Sequence, residues 1–265
     1  MKEYTDVVTF GCSFAYEIPE FGGSHDYTKN GPFLDPKTKE VYCQNDHWPT
    51  GDESYSGIVS AGLGTNRENV SRVGGSIPYI VRKVFEWCRN NKDKLSSSLI
   101  LIGLSESQRY ESYKSDLGKD LTTTWNYLGW IQETGPVISK DSDKWKNFTY
   151  MKPDEVQWLL VVQSIIGLQS FLTLNNIDHV FFDAMTPLKK QKPENDTLGG
   201  TELFDSFVSY DNWYVHPKYE SLWYAIKENP NLGAPCTHPN VEGHKYWGES
   251  LLEYIFKREN GMMKV

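Results

Sequence analysis

Three short apolar runs constrain this chain more than any other feature of its sequence. Val7, Val8, Thr9 and Phe10 form the first, Leu99, Ile100, Leu101 and Ile102 the second, and Val180, Phe181 and Phe182 the third. None alternates between apolar and polar. A strand with one wet face alternates, whereas one covered on both faces reads as an unbroken run, so these segments predict central strands of a parallel sheet. Each ends at a residue that suits a tight turn or a site: Gly11, Gly103 and Asp183.

Helical spacing separates the runs. A short helix is expected over 54–63, and a strand ending at Asn69, Val70 and Ser71 follows it. Ile77, Ile80, Val81, Val84, Phe85 and Cys88 then recur at three and four, with Ser76 as N-cap and Pro78 in the first turn, where a missing N–H costs nothing. Pro153 opens a long helix whose Val156, Leu159, Leu160, Gln163, Ile166, Ser170 and Phe171 read as one inward face, and Asn175 and Asn176 stop it. Asn240 caps a last helix that lines up Trp247, Leu251, Tyr254 and Ile255. Strands alternating with helices predict a three-layer α/β/α sandwich around a parallel sheet, one domain over residues 1–265. Long segments at about 16–53, 110–150 and 186–235 lack a sustained period and read as insertions.

Composition narrows the class of partner. With 27 basic against 35 acidic residues, a net charge of −8 argues against a binder of phosphate backbones, so no nucleic acid is expected. No continuous apolar run approaches the roughly 20 residues that span a bilayer, so no membrane is expected either. Cys12, Cys43, Cys88 and Cys236 are too widely and irregularly spaced for a metal knuckle or a disulfide framework. Together with an acidic N-terminal segment that does not resemble a secretion signal, they point to reduced thiols in a cytoplasmic setting.

Open parallel sheets place ligands at the carboxyl ends of their strands. The residues there are Ser13, the stretch Gly74, Gly75 and Ser76, the pair Ser105 and Glu106, and Asp183, with His238 near the C-terminus in Thr237, His238, Pro239, Asn240. A serine, a histidine and backbone donors are the inventory of acyl transfer, which needs a nucleophile, a base and N–H groups for an oxyanion.

These blocks resemble the SGNH (GDSL-type) hydrolases. The family's GDS block stands here as Gly11, Cys12, Ser13, with cysteine in place of aspartate. Its second block, a glycine five residues after an asparagine, matches Asn69 and Gly74. Gly103, Leu104, Ser105, Glu106 stands where GxND is usual, and Pro235, Cys236, Thr237, His238, Pro239 where DxxHP is usual, with proline in the place of the acid. The likeness is greatest to a branch with GCSF near the start and HPN-x-x-GH near the end, frequent among phage and environmental bacterial proteins, so a virion-associated chain is a second setting. The resemblance implies Ser13 as nucleophile, His238 as its base, and Gly74, Gly75 and Ser105 at the oxyanion and substrate. It implies hydrolysis of a carboxylic ester, an acyl group on a carbohydrate or small molecule, without a cofactor. Either Asp183 or a backbone carbonyl is left to orient His238.

Other readings stand beside this one. A non-catalytic binding protein could keep the fold and lack the acid. A flavodoxin-like nucleotide binder would want a phosphate motif, which Gly74 and Gly75 alone do not make. His238 and His244, six residues apart, do not form a helical metal pair, so no metal is expected, and His244 reads as a packing residue of the last helix. Glu106 and Arg109 read as a structural ion pair. Trp48, Trp125, Trp130, Trp145, Trp213 and Trp223, with Tyr127, Tyr214 and Tyr224, fall in the insertions, either as sugar-stacking faces or as the insertions' own hydrophobic staples.

Overall fold

A computed structural model describes residues 2–12, 14–15, 33–34, 41–43, 49–71, 75–107, 110–113, 125–128, 154–234 and 238–262. Its centre is a five-stranded, wholly parallel sheet. The strands are β1 (Asp6–Phe10), β4 (Asn66–Asn69), β5 (Ser98–Leu104), β8 (Asp178–Asp183) and β9 (Trp213–Tyr214), in the order β4-β1-β5-β8-β9. Two small antiparallel pairs, β2 (Phe33–Leu34) with β3 (Val41–Cys43) and β6 (Tyr110–Tyr113) with β7 (Trp125–Leu128), stand apart from it. The three apolar runs are the middle of the sheet, with β5 between β1 and β8 and buried at all seven positions.

Helices cover both faces. On one, α2 (Ile77–Asn90), α3 (Asp154–Leu174) and α4 (Gly200–Phe207) pack on Val8, Phe10, Ile100, Ile102, Leu104 and Phe181. On the other, α1 (Tyr55–Leu63), α5 (Leu222–Glu228) and α6 (Val241–Glu259) pack on Val7, Leu99, Leu101, Val180 and Phe182. The alternation of side chains along each strand assigns its residues to the two layers in turn. This is the expected three-layer α/β/α sandwich.

The local signals behave as their chemistry requires. Ser54, Ser76 and Asn240 each accept a backbone N–H two or three residues into their helices. Asn176 takes a left-handed conformation at φ 51°, which ends the turn after α3.

Three readings need correction. The buried face of α3 carries Gln157, Trp158, Val161, Val162, Ile165, Leu168, Gln169 and Leu172, while Leu160 is 40% exposed and Gln163 faces out. The helix is apolar almost all round, so its periodicity does not choose a face. Its 21 residues are also long and apolar enough, by composition, to cross a bilayer, which continuous runs did not reveal because uncharged Gln, Ser, Gly and Thr interrupt them. Here a sheet and α4 take up its buried face. Finally, residues 186–235 are no simple insertion: they supply β9, α4 and α5, and Phe204, Trp213, Tyr214, Leu222 and Ala225 belong to the two cores.

Candidate active site

The carboxyl end of the sheet is built on close backbone approach. A Cβ on Gly11 would lie 2.4 Å from the Ala15 Cβ and 3.3 Å from the Gly103 carbonyl oxygen, so only glycine lets the chain turn here against β5. The turn closes with Ala15 N–H donating to Cys12 O at 3.0 Å. Asn69 at the end of β4 fastens it: its Nδ2 donates to Ala15 O at 2.8 Å, and its Oδ1 accepts from Ser71 N–H at 2.9 Å. One side chain therefore ties the segment after β1 to the segment after β4. Ser13 and Gly74 themselves lie outside the described residues, as do Arg109 and Cys236.

His238 reaches this end of the sheet from the opposite terminus of the chain. Its backbone is held by Ala234 N–H donating to His238 O at 2.8 Å and by a bridge between Gly233 and Pro239. Asn240 then caps α6 through Gly243 N–H and donates to the carbonyls of Asn231 and Gly233. The His238 imidazole, half-buried, packs on the ring of Phe14, with centroids 5.2 Å apart and planes tilted by 41°. Phe14, the residue after Ser13, in turn makes an edge contact with Trp223 at 5.9 Å.

Ser105 follows the last residue of β5. It is 1% exposed, and its Oγ meets no hydrogen-bonding partner among the described residues. A buried hydroxyl without a partner costs about 1–3 kcal/mol, a price that stable folds keep where the group has work to do. Gly75 is buried just ahead of the Ser76 cap. Beside them, Ser107 N–H donates to Gln191 Oε1 at 2.5 Å and Thr186 donates to Glu106 at 3.3 Å, binding the β5 loop to the β8 loop.

Asp183 does not join His238. It is the last residue of β8 and lies on the strand face that carries Phe181, toward Leu188 and Trp213. His238 packs with Phe14 in the other layer. The Asp183 carboxylate accepts from Leu188 N–H at 3.0 Å. Burial pushes its pKa up to about 7, opposed by that N–H and, more weakly, by the indole of Trp213, whose Nε1 makes no hydrogen bond of good geometry. A buried carboxyl bracing the turn at 184–188 is its place here, not a partner of the imidazole.

His244 is fully buried one turn into α6, stacked on Tyr55 with planes 13° apart. Its Nδ1 accepts from Tyr55 N–H at 3.4 Å, and burial, with the charge of His238 nearby, holds its pKa near 3. It packs as a neutral ring, as the sequence indicates. Among the described residues no cluster of three or more metal-ligating side chains occurs.

Solved structures similar to this chain include lipolytic proteins and carbohydrate esterases. A lipolytic protein of the G-D-S-L family from Veillonella parvula is 12% identical over 96% of this chain and 99% of its own, with a TM-score of 0.46. A psychrotrophic esterase from Pseudoalteromonas sp. is 11% identical, covering 97% and 99%, at 0.46. An acetyl xylan esterase is 9% identical, covering 94% and 99%, at 0.42. At such identities and scores these likenesses describe the fold and nothing further rests on them. No family model and no curated protein matches the sequence.

Sequence reasoning missed Phe14 as the ring on which His238 packs, and Trp223 as the ring that packs on Phe14. The motif GCSF contains Phe14, but nothing in a linear pattern says that residue 14 meets residue 238. It also missed His216, whose Nδ1 accepts from the Lys218 and Tyr219 N–H groups inside a cage of Tyr214, Tyr219, Tyr246 and Trp247. Of the aromatics assigned to insertions, Trp213 is a staple, 3% exposed and stacked on Phe181 at 5.4 Å. Trp48, Trp130 and Trp145 lie outside the described residues.

Proposed function

We propose that this chain is a serine esterase of the SGNH type that removes an acyl group, acetyl in the first instance, from a carbohydrate. The Ser13 hydroxyl attacks the ester carbonyl while His238 takes its proton. The N–H groups of Ser13 and Gly74, with the Ser105 hydroxyl, donate to the oxyanion. Collapse of the tetrahedral adduct expels the alcohol, which leaves with the proton from His238, and water then attacks the acyl-Ser13 ester by the same route in reverse.

One observation carries this reading. The imidazole of His238 rests on the residue that follows Ser13, at the carboxyl edge of a parallel sheet, where the buried hydroxyl of Ser105, without a hydrogen-bonding partner among the described residues, follows the adjoining strand. The carbohydrate part is supported by Trp223, a half-buried indole next to Phe14 that offers an apolar face to a sugar ring.

Hydrolysis of a chromogenic acetyl ester by the wild type and by Ser13→Ala tests it, followed by acetylated oligosaccharides. The expected result is turnover by the wild type and a loss of at least about 10³-fold in the variant. Equal background rates in both would replace the esterase with a non-catalytic binding protein on the same fold.

A further inference from the structure

We infer that Phe14 is a positioning residue: its ring seats the His238 imidazole, doing by packing part of what a carboxylate does by hydrogen bonding. The inference rests on the esterase reading above. It starts from a difference in how firmly the parts of His238 are held. The backbone is fixed by the Ala234 N–H bond, the Gly233 and Pro239 bridge and the Asn240 cap. The two side-chain torsions are not fixed by any of these. They are set by what touches the ring, and among the described residues Phe14 packs on it with ring centroids 5.2 Å apart.

A seat is useful only if it is rigid, and Phe14 is held from several strands at once. It is 3% exposed, inside the turn closed by Ala15 N–H and Cys12 O, with Asn69 of β4 gripping Ala15 O. Trp223 presses on its edge. The Trp223 backbone N–H donates to Ala184 O at 3.1 Å, and Ala184 N–H donates to Leu104 O at 3.0 Å, so the plate behind Phe14 is anchored to β8 and β5. Asp183 is turned into the other layer, onto Leu188 N–H. An aromatic plate thus bears on the His238 ring, joined to the turn that runs from Cys12 to Ala15. Misplacing a catalytic group by about 1 Å can cost on the order of 100-fold in rate, which sets the size of the effect.

The experiment compares wild type, Phe14→Leu and Phe14→Tyr by steady-state kinetics and by proton NMR of His238 Hε1, assigned with His238→Gln. Leucine keeps apolar bulk but removes the ring, and tyrosine keeps the ring. Expected is a fall in kcat of about 10- to 100-fold for Phe14→Leu with KM unchanged, recovery in Phe14→Tyr, and loss of the ring-current displacement of the Hε1 resonance in Phe14→Leu alone. Trp223→Phe, which leaves Phe14 in place, should show a smaller change of the same kind. Turnover of Phe14→Leu within about twofold of wild type overturns the inference, as does an Hε1 resonance that is the same in all three proteins. Absence of hydrolysis by the wild type defeats the esterase reading instead, and the resonance then still decides whether the ring seats the imidazole.

Discussion

Gly11 and Asp183 show how differently two strand-end residues can be used. Gly11 is required by contact, because any side chain would strike the Ala15 Cβ and the Gly103 carbonyl. Asp183 looked from its position like an orienting acid, yet it is buried, with its pKa pushed up to about 7, and Leu188 N–H occupies it. Its linkage has a definite sign. Because the folded pKa is raised above the unfolded one, the folded state holds the proton longer, so this group's contribution to stability is present at low pH and lost as pH rises toward 7. Asp183→Asn should therefore leave kcat within about twofold of wild type. In urea titrations it should stabilise the fold at pH 8 more than at pH 5, by on the order of 1–4 kcal/mol. Loss of turnover without loss of fold would return Asp183 to the site.

Among the elements, α6 does most to place the base. Its cap is Asn240, and the same amide donates to Asn231 O and Gly233 O, so helix initiation and the His238 turn depend on one side chain. A Cβ on Gly243 would come 2.1 Å from Leu232 O, which shows how tightly the first turn sits on that loop. Asn240→Ala should cost about 1–2 kcal/mol, seen as a lowered urea midpoint, and should reduce kcat more than the stability loss alone explains. Asn240→Asp keeps the acceptor for Gly243 N–H but not the two donors, so it separates helix capping from support of the turn. On the other face of the sheet, α3 teaches the opposite lesson. Nothing in its own pattern chose its buried face; Trp158 against Phe204 at 5.4 Å and the stripe from Val161 to Leu172 on the sheet did.

For the whole molecule, buried histidines set the acid side of stability. His244, His179 and His216 are all held below the ordinary imidazole range, chiefly by burial. A folded pKa below the unfolded one means that the unfolded chain binds the extra protons. The stability these groups confer is complete above the ordinary histidine value and lost as pH falls below it, at a slope of up to about 1.4 kcal/mol per pH unit for each group. Asp183 acts in the other direction across the range from pH 7 to pH 5, so the contribution of a histidine is read by comparing proteins. Between pH 7 and pH 5 the urea midpoint of the wild type should fall further, or rise less, than that of His244→Asn, whose amide oxygen can still accept from Tyr55 N–H. An identical change in both proteins would remove His244 as a source of the acid sensitivity.

The sequence by itself determined the parallel core, the caps at Ser76 and Asn240, and the order of the blocks around Ser13, Asn69, Ser105 and His238. These are local matters, since an unbroken apolar run, a capping oxygen and a strand-end glycine carry their physics within a few residues. Tertiary structure alone decided which face α3 buries, that residues 213–214 complete the sheet, that Asp183 turns away from His238, and that Phe14 meets it. Each of these depends on which side of the sheet a residue leaves from and on what a distant segment lays against it, and neither is encoded in the spacing of neighbours along the chain.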